Sequence, residues 1–252
     1  METLEVGGIH GLPEDPEAIS ELKEAVLGGS LLLARSVIDP ALCTQLVAYL
    51  EQVGRSSLPA YAPIEVGSPN GHRLNRADER AYVTGCFHQF VFYPWNQDVF
   101  NLFEMVRPIY RLKNALSGSH PDRYLGRTGE DGLVTRLSFQ FYPAGSGFLN
   151  RHRDPTGEHQ LTVPTMALST KGVDFMSGGA YLEDVDGRAH CLDDLTGPGD
   201  VMFFDSRLIH GVKVIDEDQP TDWLAFEGRW SLLIATNKTV DTIGVDDAVD
   251  LE

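Results

Sequence analysis

His152-Arg153-Asp154, His210 and Arg229-Trp230-Ser231 are the residues of this chain whose types and spacing could do chemistry. Two imidazoles and one carboxylate can cap one face of an octahedral ion and leave the opposite face open. Non-haem Fe(II) oxygenases use that arrangement. Residues i and i+2 of an extended segment point to the same side, so His152 and Asp154 can reach one ion. His210, at the end of a strand pattern downstream, can complete the set. An arginine followed two residues later by a serine could hold a carboxylate ligand, because guanidinium and carboxylate pair bidentately.

Each feature also has a plainer reading. RHRD fits a surface ion-pair cluster, and a lone histidine at a strand end is commonly a hydrogen-bonded structural residue. Arg229 could pair at the surface with Glu227 or Asp222. A second HxD, His120-Pro121-Asp122, lies in SGSHPDRYLGRTGEDG, where turn chemistry is expected. His190 is a rival third ligand, but its GRAHCLDD context lacks the strand lead-in of GPGDVMFFDSRLIHGV. An arginine on the inner face of a barrel needs an anion, because an unpaired buried charge is very costly.

The elements that must position these groups change character along the chain. Residues 13–27 place Ile19, Leu22 and Val26 at helical spacing, and 30–38 read as a strand. Asp39-Pro40 starts a helix expected to stop at Gly54. Residues 55–80 read as a long irregular stretch of the lid or linker kind. In it Arg73, Arg76 and Arg80 could close over an anionic group. A strand is expected over 81–93 and a helix, kinked at Pro108, over 96–116. From 133 onward strands alternate with turns, Asp186-Gly187 marking a hairpin. In LVTRLSFQFY, Leu133, Leu137, Phe139 and Phe141 share one face, and Arg136, Ser138, Gln140 and Tyr142 share the other.

The predicted fold class is α+β, mainly β: a sandwich or barrel carrying helices on one side. A single domain spans 1–252, with helical support and lid over 13–132 and the core over 133–238. Residues 1–12 and 239–252 are expected to be flexible.

Composition narrows the partners. At 42% hydrophobic the chain is globular, and its net charge is −17. That charge disfavours nucleic acid and anionic membranes. No apolar run approaches membrane-spanning length, and the N-terminus lacks the features of a signal peptide. Cys43, Cys86 and Cys191 are widely spaced without a CxxC, which points to reduced thiols and a cytoplasmic setting.

The order Tyr142, Gly145, His152, Asp154, Gly178-Gly179, Pro198-Gly199-Asp200, His210, Arg229 resembles the Fe(II)/2-oxoglutarate dioxygenase superfamily, in the branch similar to prolyl 4-hydroxylases. The opening SLLLARSVIDPALCTQLVAYLE is similar to the strand-then-helix start of that branch. The resemblance implies a double-stranded β-helix (jelly-roll) core with N-terminal helices packed on one side. It implies Fe(II) held by His152, Asp154 and His210, and 2-oxoglutarate anchored by Arg229 with Ser231 and Tyr142 as helpers. O2 is the further cosubstrate, and ascorbate a candidate stimulant.

Two departures qualify the resemblance. The interval from His210 to Arg229 is longer than is usual in the branch, the excess being the acidic segment 216–227. The branch often has lysine where Arg229 stands, so prolyl hydroxylation is not implied. Related halogenases carry a small residue at the Asp154 position, so Asp154 favours hydroxylation. The nucleic-acid repair branch has a second arginine after the anchor, and none follows here.

The expected activity is that of an oxidoreductase, a dioxygenase of hydroxylase type. It acts on a small molecule, amino-acid-like or a secondary metabolite, and releases succinate and CO2. Arg136, Gln140, Arg73 and Arg76 are candidate substrate contacts. The alternative is a cupin-like metalloenzyme that uses the same metal site without 2-oxoglutarate.

Overall fold

The computed structural model describes residues 1–77, 81, 83–157, 159–239 and 249–250. Asp15 caps α1 (Pro16–Leu27), its carboxylate accepting from the backbone N–H of Glu17 and Ala18. Asp39 caps α2 (Pro40–Ser56) in the same way through the N–H of Ala41. Each helix has proline at its first position, where no N–H is needed. α3 (Leu102–Leu116) carries Pro108 inside it. Gly54 does not stop α2; it is buried within the helix, and its missing side chain makes room for the Phe226 ring.

The strands are β1 (Thr3–Gly7), β2 (Leu31–Arg35), β3 (Gly71–Arg76), β4 (Gly85–Phe92), β5 (Leu133–Pro143), β6 (Phe148–Arg153) and β7 (Thr165–Ala167). They continue with β8 (Gly179–Glu183), β9 (Ala189–Cys191), β10 (Val201–Phe203), β11 (His210–Lys213), β12 (Gly228–Lys238) and β13 (Val249–Asp250). Among the described residues they are hydrogen-bonded in the order β1-β2-β10-β7-β12-β5-β4-β6-β11-β8-β9, with β3 on β4 and β13 on β6. β4 changes partner along its length. Residues 88–92 pair with β5, whereas Gly85 and Cys86 pair with β6. The sheet passes there from a larger set of strands, β1-β2-β10-β7-β12-β5-β4 with β3 on its edge, to a smaller one, β6-β11-β8-β9.

Two cores follow from period-two alternation. Leu32 and Ala34 of β2, Leu137, Phe139 and Phe141 of β5, and Leu232 and Ile234 of β12 pack against the helices. Leu31 and Leu33 of β2 point the other way and meet Leu182, Met202 and Val212 inside the roll. Burial on both faces explains why β2 reads as an unbroken apolar run.

The structure departs from the sequence reading at further places, and α3 begins at Leu102 where 96 was expected. The 55–80 stretch contains β3, a polar strand on β4, so it is not wholly irregular. Residues 3–7, expected to be loose, pair with β2 in parallel as β1. Within the tail, Val249 and Asp250 pair with Arg153 and His152; 240–248, 251–252 and the earlier candidate Arg80 lie outside the described residues. The Asp186-Gly187 turn joins β8 to β9 as expected, with Asp184 accepting from the N–H of Asp186 and Arg188. Among the described residues, no helix is long and apolar enough to cross a membrane.

Candidate metal centre

The two histidines are cross-strand neighbours. β6 and β11 are antiparallel with His152 opposite His210, and their rings lie 4.2 Å apart between centroids. Each Nδ1 is tied to a backbone carbonyl two residues earlier, His152 to Asn150 at 2.8 Å and His210 to Leu208 at 2.9 Å. A carbonyl only accepts, so both Nδ1 atoms carry a hydrogen, and in the neutral imidazoles both Nε2 atoms present lone pairs. Asp154 follows the end of β6, where its N–H donates to Ser206 O at 3.0 Å. Its carboxylate sits between the imidazoles, Oδ1 at 3.4 Å from His152 Nε2 and Oδ2 at 3.3 Å from His210 Nε2.

The three ligand atoms lie within 4.8 Å of one another. With both histidines in this tautomer, only lone pairs face the space between them, and a cation is what that arrangement accommodates. Two imidazoles and one carboxylate match the donor set of Fe(II). The largest single influence on Asp154 is burial, which disfavours its charge. The imidazoles of His210 and His152 outweigh it and hold the carboxyl far below the usual range. His210 shifts the other way and is raised, burial opposing and Asp154 prevailing.

The rival histidines go elsewhere. His120 Nδ1 accepts from Asp122 N–H in an exposed turn, and His190 Nε2 meets Asp184 Oδ2 at 2.6 Å.

Arg229 is fully buried on the inner face of β12. Its partner is neither Glu227 nor Asp222 but Asp193, which follows β9 and was not singled out in the sequence. Arg229 Nε donates to both Asp193 oxygens, at 3.0 and 2.8 Å, and Nη1 donates to Ser231 Oγ at 3.1 Å. Nη2 is buried with no hydrogen-bond partner. Gly179 lets the Asp193 carboxylate come in close. A side chain there would collide with Oδ2, which accepts from Ala180 N–H at 2.6 Å, and the glycine φ of +105° suits few other residues. Tyr142 lies opposite Arg229 across the ladder, with the guanidinium 5.7 Å from its ring centre. Its hydroxyl donates to Gln140 Oε1 at 2.7 Å, not toward Arg229.

One cavity holds both groups. His152, Asp154, His210, Arg229, Ser231, Tyr142 and Gln140 line an inner chamber between the two sets of strands. An outer chamber of about 240 Å³ adjoins it, sharing His152, Asp154, Gln140 and Leu149 as lining. Register places one row across four strands: Ser231, Gln140, Gln89 and Arg73, each opposite the next. Arg136 sits four residues from Gln140 on the same face of β5 and also lines the outer chamber. Arg73 reaches it from β3, as part of the sheet and not of an irregular lid. Arg76 has the opposite parity on β3 and is not among the lining residues; its guanidinium lies 5.9 Å from the Trp223 ring.

The 216–227 segment packs on the helix side of the sheet, beside α2. Trp223 meets His88, and Phe226 packs on Phe141 and Trp230. Arg55 of α2 donates to the carbonyls of Leu224 and Ala225.

No family model matches the sequence, and no curated protein matches it. Solved structures match by shape. A prolyl-4-hydroxylase from Pseudomonas putida is 14% identical with a TM-score of 0.53, over 88% of this chain and 98% of the other. JOX2, solved in complex with 2OG, Fe and JA, is 13% identical with a TM-score of 0.54, over 97% and 78%. A 2OG-Fe(II) oxygenase family protein from Caulobacter crescentus is 10% identical with a TM-score of 0.52, over 99% and 95%. The chain thus has the jelly-roll fold of Fe- and 2OG-dependent oxygenases, with a His-Asp-His cluster inside the roll.

Proposed function

We propose that this protein is an Fe(II)- and 2-oxoglutarate-dependent oxygenase that hydroxylates a small molecule. One observation carries the reading. The metal-ligand cluster and a buried arginine with an unpartnered Nη2 line the same chamber. A buried donor without an acceptor is costly, and a carboxylate arriving from the metal side relieves that cost.

His152, Asp154 and His210 would hold the metal, and Arg229 with Ser231 the distal carboxylate of 2-oxoglutarate. When bound, iron and 2-oxoglutarate supply the oxidation of a C–H bond by O2 with release of succinate and CO2. The protein's own work is placement. The carbonyls of Asn150 and Leu208 fix the histidine tautomers. Asp193 holds the guanidinium through Nε, which leaves Nη1 on Ser231 and Nη2 without a partner. Tyr142 and Leu149 keep the inner chamber dry enough for charge-assisted contacts to count. Substrate enters the outer chamber, whose volume suits a small molecule or a single side chain.

The cupin-like alternative uses the same metal site without a cosubstrate. It leaves the buried Nη2 of Arg229 without a role. The test is anaerobic titration of Fe(II) and then 2-oxoglutarate, followed by O2-dependent succinate release. Metal binding with neither 2-oxoglutarate binding nor succinate would favour the alternative and overturn this reading.

A further inference from the structure

The three cysteines sit in different surroundings. Cys43 and Cys86 are buried. Burial pushes the Cys43 thiol up to about 11 and raises Cys86 as well, so both stay protonated. Cys191 is half-buried at the end of β9, and the ammonium of Lys171 stands beside it, Nζ to Sγ 3.2 Å. Asp194 Oδ1 holds the same ammonium at 2.9 Å. Partly exposed sulfur next to a cation is where thiol oxidation concentrates, whereas apolar burial makes a thiol inert.

The backbone on both sides of the pair is fixed. Lys171 bridges to Phe175, and Gly172 N–H donates to Phe175 O at 2.7 Å. The Phe175 ring is buried inside the roll in the same core as Leu192, the residue after Cys191. Cys191 stands opposite Tyr181 of β8, and Leu192 N–H donates to Ala180 O at 2.8 Å. Asp193 then grips Arg229, and Asp194 returns to Lys171. A nitrogen and a sulfur 20 residues apart in the chain are thereby held in contact.

We propose that Cys191 and Lys171 form a peroxide-driven covalent cross-link, a sulfur–nitrogen bond that thiols reverse. Hydrogen peroxide oxidises the Cys191 thiol by two electrons to the sulfenic acid and is itself reduced to water. The Lys171 nitrogen then attacks that sulfur, as backbone nitrogens do in sulfenamides. The S–N bond forms and the S–O bond breaks. The hydroxyl leaves as water with one hydrogen from the nitrogen, and a second ammonium proton passes to solvent. Asp194 lies within hydrogen-bond distance of that nitrogen and is itself exposed, so it can carry the proton outward. A dithiol restores the thiol and the amine and becomes a disulfide. The link ties β9, whose continuation delivers Asp193 to Arg229, to the turn that carries Lys171. None of this depends on the oxygenase reading.

The test treats the full-length protein with dilute hydrogen peroxide, with Zn(II) at the metal cluster to keep iron redox chemistry out. Peptides are then mapped by mass without reductant. The wild type should give the Lys171 and Cys191 peptides joined and lighter by two hydrogen atoms, and dithiothreitol should separate them. Lys171→Arg keeps a cation beside the sulfur but has no amine to attack it. It should give no cross-link, and dimedone added afterwards should trap its Cys191 as the sulfenic acid. Cys191→Ser should give neither product.

If the oxidised wild type carries a dimedone adduct or a sulfinic acid at Cys191 with Lys171 free, the proposal falls, and that observation needs no variant to fold. It also falls if Cys43 and Cys86 are oxidised ahead of Cys191. A loss of two hydrogen atoms from Lys171→Arg equal to that of the wild type would place the cross-link elsewhere and overturn it as well.

Discussion

Asp193 grips Arg229 through Nε, with contacts of 3.0 and 2.8 Å, and leaves Nη2 without a hydrogen-bond partner in a residue that lines the same chamber as the metal cluster. The pair is buried on both sides, with side-chain exposures of 1% and 3%. Asp193 therefore does two things at once. It compensates a buried cation before any ligand arrives, and it fixes which edge of the fork a ligand meets. The largest influence on Arg229 is burial, which disfavours its charge, and Asp193 outweighs it.

Arg229→Ala is consequently a stability variant as well as a binding variant. It leaves the Asp193 charge buried and alone, which is expected to cost about 3–5 kcal/mol in urea unfolding. Arg229→Met combined with Asp193→Asn should recover much of that loss, because the Asn oxygen can still accept from Ala180 N–H. Both variants should weaken 2-oxoglutarate by more than about tenfold. A double variant as unstable as the single one would mean that the charge pair is not the source of the loss.

His152→Ala and His210→Ala should each abolish activity and weaken Fe(II) binding, measured anaerobically, while the fold survives. The ladder between β6 and β11 is backbone hydrogen bonding that these side chains do not make. Full turnover in either variant would remove the residue from the ligand set.

Asp154→Gly removes the one anionic ligand and opens a coordination position. Hydroxylation should be lost, with Fe(II) still weakly held by two imidazoles. Product analysis with chloride present should show little or no halogenated product, since an open position does not by itself bring a halide nearer to substrate. Wild-type hydroxylation rates would show that Asp154 is not a ligand.

How much of this was legible in the sequence differs by residue. The start of α2 was readable because Asp39-Pro40 acts locally, whereas α3 begins at Leu102 and not at the expected 96. The inner face of β12 was readable from alternation, since Arg229, Ser231, Leu233 and Ala235 do line the chambers. β3 was not readable. GHRLNR is polar because its inward side chains face a chamber, not a core, so hydrophobic period gives no signal. Asp193 was not readable either, for it meets Arg229 across 36 residues, and CLDD carries no periodic cue. Gly54 misled because a glycine late in a helix resembles a stop, whereas its true partner, Phe226, is remote in sequence.

That contact gives a prediction opposite to helix propensity. Gly54→Ala should gain roughly 1 kcal/mol of intrinsic helix preference. The new methyl, however, collides with the Phe226 ring, itself wedged among Phe90, Phe141 and Trp230. Overpacking of this kind costs about 1–3 kcal/mol, so net destabilisation is expected. A rise in Tm would show that Phe226 yields easily.

Lys113 gives the pH-dependent prediction. It projects from α3 into the interior, fully buried, with Nζ donating to Thr236 Oγ1 at 2.8 Å and His159 O at 3.2 Å, and with the Tyr110 ring 5.1 Å away. Among the groups described around Nζ none is a carboxylate, and burial pushes the amine down to about 7. Below that pH the amine is charged in both the folded and the unfolded chain. Between about 7 and the ordinary lysine value near 10.4, the unfolded chain binds the extra proton, so stability rises with pH across this window. Lys113→Met removes the titration. It should be more stable than the wild type at pH 7 by roughly 2–4 kcal/mol, after allowance for two lost hydrogen bonds. The advantage should shrink steadily toward pH 10. Urea unfolding of both proteins at pH 7 and pH 9.5 isolates the effect, since other groups cancel in the difference. A stability difference that does not change with pH would mean that Lys113 keeps its charge inside the folded protein.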